Sequence, residues 1–213
     1  MVQVKSFTFN FFNENTFVFW DDETKESAII DPGVYSSDEQ ITLTDFITNQ
    51  HLNVKFLINT HCHIDHILGC KFVKKKFNPV YYAPEKDILL LENSVMQAQM
   101  FDINFEEPPS PDKLINDETE LFLGDSKIVF LFTPGHTPGE YCLYLEKEKI
   151  CITGDVLFKE GIGRTDLWGG NYDALINSIE NKLFSLPDDV KIYPGHGDES
   201  TIGYEKQYNP FLI

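Results

Sequence analysis

Five of the six histidines fall in three short segments rich in glycine or turn-forming residues. The densest, His61-Cys62-His63-Ile64-Asp65-His66, sets four groups able to hold a metal within six residues. It directly follows Val54–Asn59, a short apolar run that suits a buried strand. A regular helix would send His61 and His63 to different sides, because positions i and i+2 do not face each other; a loop can converge them. Imidazole and carboxylate suit zinc and related divalent cations. Buried and unpaired, such groups would carry a desolvation cost that a dication removes.

Three more segments repeat the theme of a side chain held in a tight turn after an apolar strand. They are Thr133-Pro134-Gly135-His136-Thr137-Pro138-Gly139, Thr153-Gly154-Asp155 and Pro194-Gly195-His196-Gly197. Each alone is ordinary turn chemistry. Together, four strand ends offering the same ligand types point to one metal centre. His51 stands apart at a helix end, where an exposed polar role is expected.

In this order, His61-x-His63-x-Asp65-His66, His136, Asp155 and His196 resemble the metallo-β-lactamase superfamily. The stretches TPGHTPGE, TGDVLF, GIGRTD and PGHG, with NPF near the end, are similar to glyoxalase II and its shorter relatives. The likeness runs from Asn15-Thr16 to Phe211. It implies an α/β fold, an αββα sandwich of two mixed β-sheets face to face with helices outside, as one domain over residues 1–213. It also implies two divalent metal ions at one edge, zinc first, with iron or manganese as alternatives. By this resemblance His61, His63 and His136 hold one metal, Asp65, His66 and His196 hold the second, and Asp155 bridges them.

The implied reaction is hydrolysis of a thioester or related ester, in which metal-activated hydroxide attacks the carbonyl carbon. A thiolate, being a weak base, leaves without a strong general acid, and Asp65 is placed to relay a proton. Arg164, in Gly161-Ile162-Gly163-Arg164-Thr165-Asp166, stands where glyoxalase II relatives carry a basic substrate-binding residue. It either holds a substrate carboxylate or pairs with Asp166. Asp31 corresponds to an early aspartate that supports the ligands from behind; the other reading is a turn-forming Asp-Pro-Gly. The alternative activity is that of a mononuclear iron persulfide dioxygenase, whose family members share these ligands and a similar GRTD stretch. The sequence stops 17 residues beyond His196, so the helical region that helps long glyoxalase II enzymes hold glutathione is not expected. A secreted β-lactamase is not expected either, since Asp155 stands where many of those enzymes carry cysteine.

The remaining sequence must position these groups. The 213 residues are 42% hydrophobic and 24% charged, which excludes a disordered chain or a coiled coil. A net charge of −17 argues against nucleic-acid and membrane partners and leaves a small-molecule substrate. Two dications would nonetheless make the site locally electropositive, open to an anionic or carbonyl compound. The first twenty residues alternate like a strand and lack the features of a secretory signal, and no apolar run approaches ~18 residues; a soluble cytoplasmic protein is expected. The four scattered cysteines read as buried free thiols.

Strand-like runs open the chain at 2–10, 16–20 and 27–31. Ser37-x-x-Gln40 has capping-box spacing, and a helix is expected to resume at Ile67 after the histidine cluster. Pro84 suits a first helical position, followed by Ile88, Leu91, Val95 and Ala98 at helical spacing, with Met96 and Met100 as packing residues. Later strands are expected near 120–123, 127–132, 141–145, 149–153 and 191–193, with helices over 172–184 and after Thr201.

Overall fold

Alternation within apolar strands decides the layering. In the computed structural model, which describes residues 1–212, the first sheet holds β1 (Val2–Phe9), β2 (Glu14–Asp21), β3 (Glu26–Ile30), β4 (Asn53–Ile58), β5 (Val80–Pro84) and β6 (Lys113–Ile115) in that spatial order. The β1–β3 pairings are antiparallel and the β3–β6 pairings parallel. Next come β7 (Leu121–Leu123), β8 (Ser126–Phe132), β9 (Tyr141–Leu145) and β10 (Ile150–Gly154), then the hairpin of β11 (Leu157–Phe158) and β12 (Gly161–Ile162). With β13 (Lys191–Pro194) and β14 (Ser200–Thr201) the second sheet runs β14-β13-β10-β9-β8-β7, also mixed.

Phe17, Phe19 and Ile30 point between the sheets, where they share a core with Leu143, Leu145 and Ile152. The alternate residues Val18 and Ile29 point outward and pack with Leu43 and Ile47 of α1 (Ser37–Asn49). On the other outer face Cys142, Tyr144 and Cys151 meet Leu175 and Ile179 of the helical run 172–183. Strands covered on both sides therefore read as unbroken apolar runs such as YCLYL. The result is the four-layer αββα arrangement. All four cysteines are free and buried.

The remaining helices are α2 (Ile64–Ile67), α3 (Cys70–Phe77), α4 (Ile88–Glu92), α5 (Ser94–Met100), α6 (Tyr172–Ser178) and α7 (Ile202–Tyr208). Helical expectations needed four corrections. The capping box of α1 is Ser36 with Glu39, one residue earlier than its spacing suggested, because the Glu39 carboxylate also accepts from Asn10 N at 2.7 Å. Helix begins within the histidine cluster and breaks where Gly69 N donates to Pro32 O at 2.7 Å, so α2 and α3 are separate. Pro84 ends β5 instead of starting a helix. A break at Asn93 rephases α5, so Ser94 and Ala98 face inward while Val95, Met96 and Met100 are exposed. No helix among the described residues is long and apolar enough to cross a membrane.

The C-terminal ends of β3, β4, β8, β10 and β13 meet at one edge of the sandwich. There Tyr141 N donates to Thr60 O at 3.0 Å, and Asn15 N donates to Gly195 O at 2.7 Å, stitching one sheet to the other.

Candidate metal centre

Each predicted ligand leaves its strand at that edge. Thr60 ends the run after β4, and His61 and His63 follow before α2 carries Asp65 and His66. His136 sits in the turn after β8, Asp155 directly after β10, and His196 after β13. Residues from positions 61 to 196 are thereby brought within contact of one another.

Nitrogens of His61, His63 and His136 lie within 4.8 Å of one another, as do ligand atoms of Asp65, His66 and His196. Asp155 stands between the two groups. Its Oδ2 is 3.6 Å from His136 Nε2 and 3.7 Å from His196 Nε2, and its Oδ1 is 3.5 Å from His66 Nε2. A third grouping, Asp31, His61 and His66, borrows histidines from the other two. Asp31 is already engaged: Oδ1 accepts from Thr60 N at 2.7 Å and Oδ2 from Thr60 Oγ1 at 2.6 Å. Its Oδ2 faces His66 Nδ1 at 3.2 Å. Asp31 also adopts a positive φ of 47°, so the turn and the contact with His66 coexist.

Hydrogen bonds orient the rings. His136 Nδ1 is 2.7 Å from Arg164 O and His196 Nδ1 is 3.2 Å from Phe12 O. Donation to those carbonyls leaves both Nε2 lone pairs facing the centre. Burial pushes His61 well below its ordinary pKa and His63 down to about 3, and it also lowers His136, so this trio is neutral. His66 is the exception: burial opposes its charge, but Asp65 and Asp155 overcome that and raise it well above the usual range. Burial likewise works against ionised Asp155, yet His66, with His136 and His196, holds the carboxyl far below the carboxylate range.

The donor set fits a cation. His61 Nε2, His66 Nε2 and Asp155 Oδ1 are buried without a hydrogen-bond partner among the described residues. Buried polar atoms are rarely left so, and a metal ion is one partner that satisfies imidazole nitrogen and carboxylate oxygen together.

The Arg164 side chain forks onto Asp166, with Nε–Oδ1 at 2.7 Å and Nη2–Oδ2 at 2.8 Å, both residues exposed. Of the two readings of Arg164, the ion pair is the one formed here. Two buried acids escaped sequence reasoning. Glu140 Oε1 accepts from Asp155 N at 2.7 Å and lies 3.4 Å from His61 Nδ1. Glu14 Oε2 accepts from Thr16 Oγ1 at 2.9 Å, while Oε1 is 4.0 Å from His66 Nδ1. Burial raises both well above the usual carboxylate range. Their one signal was an acid at the mouth of an otherwise apolar strand, ENTFVFW and EYCLYL.

The model of the metallo-β-lactamase superfamily matches residues 9–196. The chain belongs to the metallo-β-lactamase superfamily. Membership and donor set together fit metal-dependent chemistry at this edge. Within the superfamily the chain is 42% identical over 203 residues to hydroxyacylglutathione hydrolase GloC of Haemophilus influenzae, covering 94% of this chain and 93% of that one. The crystal structure of BLEG-1 B3 metallo-β-lactamase superposes with a TM-score of 0.91 at 32% identity, over 99% of this chain and 100% of that one. A di-iron-bound form of TTHA1623 superposes with a TM-score of 0.86 at 27% identity, over 98% and 100%.

Proposed function

We propose that residues 1–213 act as one domain, a binuclear metal-dependent thioester hydrolase of the glyoxalase II type. The observation that carries the reading is the set of partnerless buried atoms, His61 Nε2, His66 Nε2 and Asp155 Oδ1, converging at one sheet edge. His61, His63 and His136 would hold one cation and Asp65, His66 and His196 the second, with Asp155 between them. Two such cations supply Lewis acidity toward a carbonyl and a hydroxide nucleophile at neutral pH; zinc is the first choice, and the di-iron neighbour supports testing iron.

The chain's own residues do the rest. Arg164 O and Phe12 O fix the rings of His136 and His196. Asp65 Oδ2 lies 3.1 Å from His196 Nε2 and on the more open side of the cluster, where it can move a proton toward the departing sulfur. Arg164, released from Asp166, would grip a substrate carboxylate in its fork. The name of the Haemophilus relative supports a hydroxyacylglutathione-like thioester as the substrate class. The likeness to BLEG-1 favours a second reading, since a β-lactam offers the same attacked carbonyl.

Elemental analysis of protein purified without added metal, beside assays on S-lactoylglutathione, simple thioesters, nitrocefin and a persulfide, tests both. Two metal ions per chain with thioester hydrolysis is the expected result. One iron with oxygen uptake on the persulfide, or hydrolysis of nitrocefin alone, would replace it.

A further inference from the structure

Asp87 is a fully buried carboxylate outside the cluster just described. It closes the single turn Glu85–Asp87 between β5 and α4. Its Oδ2 accepts from Thr137 Oγ1 at 2.8 Å and from Cys62 N at 3.2 Å, and its Oδ1 accepts from Gly139 N at 2.6 Å. Cys62 lies between His61 and His63, and Thr137 follows His136. One carboxylate thus ties together the two loops that present all three imidazoles of one donor group.

The joint has no slack. A Cβ at Gly139 would lie 2.6 Å from both Asp87 N and Oδ1. Nor does a cation explain the charge, since Asp87 forms no ion pair among the described residues. Burial pushes its carboxyl up to about 6, while the donors Thr137, Cys62 and Gly139 pull it down. A space-filling role would be met without charge, because leaving a carboxylate in the interior is costly. An amide cannot replace it: with three donors converging, its NH2 would confront an N–H or O–H.

We propose that Asp87 is a positioning residue for metal capture, holding the His61–His63 loop and the His136 loop at the spacing that the three imidazoles need to bind a cation. This rests on the metal reading given above. Outer hydrogen bonds that fix ligands set affinity by roughly 10-fold to 100-fold.

The test is a zinc titration of the full, chelator-stripped chain against a chromophoric chelator, with circular dichroism of the metal-free protein as the control. His63→Ala identifies which binding event belongs to the three histidines. Asp87→Asn should weaken that event at least ~10-fold, change the other by a smaller factor, and leave the metal-free spectrum intact. Thr137→Val, which deletes one of three hydrogen bonds, should weaken the same event less, and Thr137→Ser should restore it. Equal weakening of both events, or unchanged affinity in folded Asp87→Asn, overturns the inference. Should Asp87→Asn not fold, the Thr137 pair decides, and equal affinity of its two variants overturns it. A wild-type chain that takes up no zinc removes the metal reading and this inference with it; a wild type that takes up two ions while the variants match it removes this inference alone.

Discussion

Asp155 concentrates the chemistry of the centre in one side chain, whose oxygens reach histidines of both donor groups. His66 faces Oδ1, and His136 and His196 face Oδ2. Asp155→Ala should therefore lower metal content at both positions and remove nearly all turnover, read by elemental analysis and a thioester assay. Full metal content in that variant would deny the bridge. Arg164 makes a different kind of prediction, because its fork is already occupied by Asp166. An exposed pair of this sort is worth little to stability, so its competition with substrate is the measurable quantity. Asp166→Asn should lower KM for anionic thioesters more than it changes kcat, and Arg164→Ala should raise KM more than it lowers kcat. If neither variant moves KM, the guanidinium serves the loop and not the substrate.

Elements present these side chains only because helices brace the loops from outside. The turn bearing His136 is held by α6: Asn171 N donates to Gly135 O at 2.7 Å and Ser178 Oγ to Pro134 O at 2.7 Å. Gly135 has φ of 142°, and a Cβ there would sit 2.3 Å from the Leu175 backbone. Gly135→Ala should cost at least ~1 kcal/mol in urea unfolding and displace His136, with metal affinity falling alongside. Normal metal binding in a destabilised variant would separate the turn from the site. The strap from β12 to the tail is similar in kind, since Asn209 Nδ2 donates to Gly161 O at 3.0 Å and so gives the NPF segment a structural task.

At the scale of the whole molecule, acidity and metal loading govern stability. Burial holds the Asp87 carboxyl at about 6 against 3.8 when exposed, so between those values the folded chain keeps a proton that the unfolded chain releases. Its contribution is fully present below 3.8 and lost as pH rises through 6. The stability of metal-free wild type minus that of Asp87→Asn should fall by on the order of 3 kcal/mol from about pH 4 to about pH 7. The Cys62 thiol and the Glu140 carboxylate are present in both proteins, and each is pushed up first by its own burial, with the Asp87 charge a smaller contributor. A flat difference across that range would show that Asp87 is not held protonated by burial. Chelation should lower the melting temperature, each ion adding about 2.7 kcal/mol at one hundred times its Kd. An unshifted melt would show that the donors carry no metal.

The sequence alone determined the types of chemistry-bearing residue, their places after apolar strands and the layered α/β class. Those properties are local: period-two alternation, turn residues and ligand spacing are written within a few positions of one another. Only the tertiary structure decided that Thr137 and Cys62 share one buried carboxylate from residue 87, and that Glu140 lies beneath Asp155. It also decided the phase of α5 and the state of Arg164. The physical reason is that burial and hydrogen bonding in the sandwich join these segments 15 to 52 residues apart, and no local pattern encodes such partners.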